Sequence, residues 1–103
     1  MNDRQDTSQR RPKKPKSVVL LEAFDSNGKT VLSTEMSFTD FYDTKLELID
    51  SSSFRRERNI SKVHGLVYDS KGTLVEDFWN NYSESGERTH GSVRYEDGTT
   101  QED

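Results

Sequence analysis

A chain of 103 residues with 28% apolar content and no cysteine has room for one small domain, with no disulfide to supplement its core. No apolar run approaches the ~20 residues that cross a bilayer as a helix, and the N-terminus lacks the apolar stretch of a signal peptide. The chain is therefore expected to be intracellular: cytoplasmic, or nuclear in a eukaryotic or viral setting. The net charge of −4 conceals an opposition, because residues 1–16 carry six basic and two acidic groups (net +4) and the rest carries nine basic and seventeen acidic groups (net −8).

Met1 to Lys16 holds no core-forming residue after the first and contains Pro12 and Pro15 among polar and basic residues. Such a segment cannot bury enough apolar surface to offset its chain entropy, so residues 1–16 are predicted to form a disordered basic arm. Arg10, Arg11, Lys13, Lys14 and Lys16 would suit an anionic partner such as nucleic acid, and the run also matches a short basic nuclear-import pattern. A solubilising tail is the simpler reading of the same charges.

All other apolar side chains lie between Val18 and Tyr95, and residues 17–98 read as a single β-rich domain. Ser17 to Phe24 places Val18, Leu20 and Phe24 on one face and Val19, Leu21 and Ala23 on the other, the pattern of a central strand. Asp25-Ser26-Asn27-Gly28 turns the chain, with Asp accepting backbone hydrogen bonds and Gly free to take the left-handed conformation. Lys29 to Phe38 returns as a strand with Leu32, Thr34, Met36 and Phe38 on the inner face.

Thr39 to Asp50 reads two ways. Phe38, Phe41, Tyr42, Leu46 and Ile49 can share a helical face capped by Thr39 or Asp40, or Thr44 to Ile49 forms a strand after a turn at Asp40 to Asp43. The strand is preferred. Ser51-Ser52-Ser53 reads as a loop, and Arg55, Arg56 and Arg58 form the basic cluster of the body. Guanidinium groups so placed would bind phosphate or a carboxylate-rich partner, although a solvated loop of surface ion pairs is the commoner use of such a run.

Val63 to Tyr68, Thr73 to Tyr82 and Arg88 to Tyr95 read as a three-strand meander joined by Asp69-Ser70-Lys71-Gly72 and Ser83-Glu84-Ser85-Gly86. The first of these turns matches Asp25 to Gly28. Turn chemistry alone explains that likeness, and duplication of a hairpin is the alternative. Thr73 to Tyr82 is apolar on both sides, which implies a central or bulged strand and leaves one of Phe78 and Trp79 as a candidate partner-binding aromatic, although a core tryptophan with its indole N–H satisfied is the commoner case. Residues 99–103 read as a frayed polar tail.

Chemistry is sparse. His64 and His90 are the only histidines, and no metal-ligand spacing, phosphate-cradling loop or nucleophile motif is present, so neither metal, cofactor nor catalytic residue is expected. Acidic neighbours such as Glu76-Asp77 point to opposite faces of a strand and cannot work as an acid–base pair. The expected fold is mainly β, an antiparallel meander forming a sandwich or partly open barrel with at most one short helix. The expected function is a small non-enzymatic interaction protein that docks its acidic β-domain on a larger protein. Trp79, Arg55, Arg56 and Arg58 are the candidate contacts. Nucleic-acid binding through the arm and an exposed aromatic is the alternative, and self-association is a third possibility.

Overall fold

A computed structural model of the chain describes residues 16–44 and 47–102. Its strands are joined by turns of one construction. In the first, Asp25 Oδ1 accepts from the amides of Asn27 and Lys29 (both 2.9 Å), the Gly28 amide donates to Asp25 O, and Gly28 sits at φ 83°. Asp69 repeats these bonds with Lys71, Thr73 and Gly72. Gly86 and Gly98 close two further turns at φ 88° and 91°. Each is a type I turn followed by a left-handed glycine, a geometry that matches the twist of the paired strands.

These turns connect β1 (Lys16–Phe24) to β2 (Thr30–Ser37), β3 (Lys62–Asp69) to β4 (Leu74–Tyr82), β4 to β5 (Arg88–Tyr95), and β5 to β6 (Thr100–Glu102). All pairings are antiparallel, and the strands form one open sheet in the order β2-β1-β3-β4-β5-β6. The mainly β, antiparallel expectation holds, and the sheet stays single where a sandwich or partly closed barrel was considered. β1 is central, as its two apolar faces require. Lys16, assigned to the arm by composition, opens β1, and the polar tail supplies β6 through Thr100 to Glu102.

The first three hairpins share a further detail. The register slips once in each, passing over Val31, Val75 and Thr89, and each of these stands three residues after the turn glycine. The likeness of the turns thus extends into a bulge at a fixed distance from the glycine. In β4 the bulge lets Val75 reach the core although Tyr82, on the opposite alternation, is buried too.

One face of the sheet is covered by helices. Ser37 Oγ accepts from the Asp40 amide (3.0 Å) and starts α1 (Phe38–Thr44), which packs on β1 and β2. α2 (Glu47–Asp50) and α3 (Ser52–Glu57) follow. This corrects the preferred reading of Thr44 to Ile49 as a strand: the described part is helical, and the cap is Ser37 in place of Thr39 or Asp40. The helices also exceed the one short helix expected. Ser51, read as loop, is the N-cap of α3 and accepts from the Phe54 amide (3.1 Å). Asn59 ends that helix at φ 57°, the left-handed position that Asn tolerates, and Ile60 then turns into the core.

The core consists of Val19, Leu21, Ala23, Val63, Val67, Val75 and Tyr82 from the strands, with Leu48 and Ile60 from the helical segment. Each fully buried Leu, Ile or Val contributes ~1.5–3 kcal/mol of transfer free energy. Phe38, Phe41, Ile49, Phe54 and Phe78 pack around the margin. Phe78 lies flat over Gly65, on the paired position of β3, in space that any side chain there would occupy. Among the described residues no helix is long and apolar enough to cross a membrane.

Candidate functional site

Alternation puts the odd residues of β1 and β3 under the helices and turns Val18, Leu20, Glu22 and Phe24 of β1 and Lys62, His64, Leu66 and Tyr68 of β3 to the other face. Register extends this face across the sheet. Glu22 pairs with Ser33 and His64, His64 with Trp79, and Trp79 with Ser92, which in turn faces Glu102. The neighbouring row runs Glu35, Leu20, Leu66, Asp77, Arg94 and Thr100. No described element lies over these rows, and Leu20, Phe24, Leu66, Tyr68 and Trp79 are all half-buried.

At its centre the His64 ring lies on the Trp79 indole, with centroids 3.8 Å apart and planes 6° from parallel. His64 Nε2 donates to Asp77 Oδ1 at 2.7 Å. The contact and the hydrogen bond hold the imidazole upright. Phe24 stacks on Trp79 at 6.4 Å, and the Lys62 ammonium lies 5.1 Å from the indole centroid. The indole is thus a fixed feature of the face, and Phe78, the other member of the pair, belongs to the helix side.

Charge divides the face. Towards β2, Leu20, Leu66 and His64 floor a shallow depression that Glu22 and Glu35 flank, and neither carboxylate has a charged partner among the described residues. Towards β5, Lys62, His90 and Arg94 add positive or titratable groups. Among the described residues no cluster of His, Asp and Glu could hold a metal ion.

The structure separates the residues that sequence grouped together. Arg55 is 5% exposed and does not reach solvent as a binding group. Its guanidinium donates to Gly86 O through Nε (3.0 Å) and Nη2 (2.7 Å), and through Nη1 to Leu48 O (3.1 Å) and Ile49 O (2.7 Å). It also stacks on Tyr82 at 4.1 Å. This side chain bolts α2 and α3 to the β4–β5 turn. Arg58 lies over the Phe54 ring at 3.7 Å and donates to Phe54 O, and Arg56 is exposed. All three are on the helix side, away from Trp79. Arg10, Arg11, Lys13 and Lys14 lie outside the described residues, while Lys16 pairs with Glu76 and sits 5.1 Å from the Phe38 ring.

Leu20, Glu22, His64 and Leu66 join Trp79 on the open face, and sequence did not single them out as contacts. The available signal was the two-sided apolar pattern of Val18 to Phe24, which requires something on each face. No protein-family model matches the chain, and no curated protein or solved structure does.

Proposed function

We propose that this chain is a small non-enzymatic interaction protein that docks on a larger protein through the face of the sheet the helices leave open. The observation that carries the reading is that face: half-buried aliphatic and aromatic side chains run across β1, β3 and β4, with His64 and Phe24 packed against Trp79. Rigid, partly exposed aromatics surrounded by aliphatics supply contact area at low entropic cost. The complementary partner presents apolar side chains with basic ones, which would meet Glu22 and Glu35 beside Leu20 and Leu66. The net acidity of the body favours the same choice.

Tagged protein recovered from its host, with a nuclease-treated control, tests this. A protein captured by the wild type, lost by Leu20→Asp, Glu22→Lys and Trp79→Ala, and retained by the turn variant Lys71→Ala supports docking on this face. Capture that survives all three face variants refutes it. Capture abolished by nuclease would move the function to nucleic acid and to residues 1–16.

A further inference from the structure

We infer that the outer edge of β2 pairs antiparallel with β2 of a second copy of this chain, in a register centred on Thr34, to give one continuous sheet across a twofold axis. This goes beyond the docking face: it rests on the backbone edge of β2, and Ser33 and Glu35 are the side chains that border both. β2 is the last strand on its side of the sheet, so its outward amides and carbonyls have no partner strand among the described residues. Natural edges are blunted by proline, lysine, bulges or short length. The opposite edge follows this rule: β6 is three residues long, and the uncovered start of β5 carries Arg88 and His90. Beyond its one bulge at Val31, β2 runs regularly from Leu32 to Ser37 with a single charged residue, Glu35, and no proline. Val31 and Leu32, two of the exposed large apolar side chains among the described residues, stand at this edge.

Side chains choose the occupant. In a twofold antiparallel pair centred on Thr34, Leu32 faces Met36 of the second copy at both ends, and Thr34 faces Thr34 on the same side of the sheet. On the other side Ser33 faces Glu35. Apolar meets apolar and the carboxylates stay apart. Shifting the centre to Glu35 sets two carboxylates directly opposite one another, and shifting it to Ser33 sets Leu32 against Thr34 and Val31 against Glu35. The strand is thus complementary to itself in one register, and the regular segment beyond the bulge is long enough to hold it.

The absence of cysteine allows a direct test. Sedimentation of the full chain from micromolar to millimolar concentration is expected to show a monomer–dimer equilibrium. Mild oxidation of Thr34→Cys is expected to trap the dimer as a disulfide, because residues at the axis bring their Cβ atoms within about 4.5–5.5 Å. Ser26→Cys, in the turn, should not cross-link. Ser33 and Glu35 are exposed, so their variants keep the fold, checked by circular dichroism. Ser33→Glu should weaken the dimer about tenfold by opposing Glu35 twice, and adding Glu35→Lys should restore it. A monomer throughout overturns the inference. So does a dimer that does not cross-link at residue 34 or ignores the charge variants, since it must use another surface.

Discussion

Arg55 is the residue on which the helical layer depends. A guanidinium at 5% exposure is tolerable only because its donors are spent on the carbonyls of Leu48, Ile49 and Gly86 and its face on Tyr82. Arg55→Met removes the donors and leaves those acceptors without the partner that satisfied them. The expected loss is ~3–5 kcal/mol, a large part of the ~5–15 kcal/mol typical of a domain, read as a lowered urea midpoint. Tyr82 is the complementary case. Its hydroxyl is buried, and although Asn80 lies near enough to favour the ionised form, no hydrogen bond of acceptable geometry reaches it. Burial pushes the Tyr82 pKa above its ordinary value, opposed in part by the Arg55 charge. The folded state therefore holds the neutral phenol more tightly than the unfolded chain does. That contribution is complete below the unfolded value of ~10 and is lost as the pH rises through the higher folded value. Tyr82→Phe should leave stability at neutral pH within ~1 kcal/mol of wild type and flatten the alkaline loss, as followed by denaturation across pH 8–12. Neither role was legible in the sequence. Charge patterning favours the surface for an Arg-Arg-Glu-Arg run, and only the three-dimensional meeting of the α2 end with the β4–β5 turn creates carbonyls that a buried cation satisfies.

At the level of elements, the turns carry most of what sequence revealed. Asp and Gly at fixed positions between alternating apolar runs define the hairpins, because the left-handed glycine and the Asx bonds are local requirements that no tertiary contact has to supply. Gly72 and Gly86 separate the local from the tertiary contribution. A Cβ at Gly72 meets nothing, so Gly72→Ala should cost only the left-handed backbone penalty, about 1–2 kcal/mol. At Gly86 the same penalty applies and a Cβ would also overlap the Ser52 carbonyl, so Gly86→Ala should lower the melting temperature clearly further. Equal losses would mean that the turn and α3 do not press on each other. The segment after β2 was misread for a physical reason: Phe38 to Ile49 fits a helical face and a strand face alike, and Ser37, the cap that decides between them, belongs to the preceding strand. β6 was missed because Thr100, Gln101 and Glu102 bury nothing and are held by backbone pairing with β5.

For the whole molecule, the open sheet explains how one tryptophan could be read as core or as contact. Trp79 stands on the uncovered face, but His64 and Phe24 lean on it and leave it half-buried. Its role as a candidate contact could be drawn from the adjacent aromatics of β4. Its company could not, because which residues of β1, β3 and β5 stand beside it depends on register, and a slip of one residue would exchange the faces. Chain order gives the Arg55 bolt a further consequence. Most strand pairings join sequence neighbours through short turns, whereas β1 meets β3 only across the intervening β2 and the helices. Closing that long loop carries the largest chain-entropy cost of the β pairings and is expected to be the slow, non-local step of assembly. The guanidinium takes carbonyls from both the helical segment and the distal β4–β5 turn, so the docking of each is tied to the presence of the other. Arg55 is therefore expected to make the helical layer and the β4–β5 hairpin open together, so Arg55→Met should uncouple their amide hydrogen exchange.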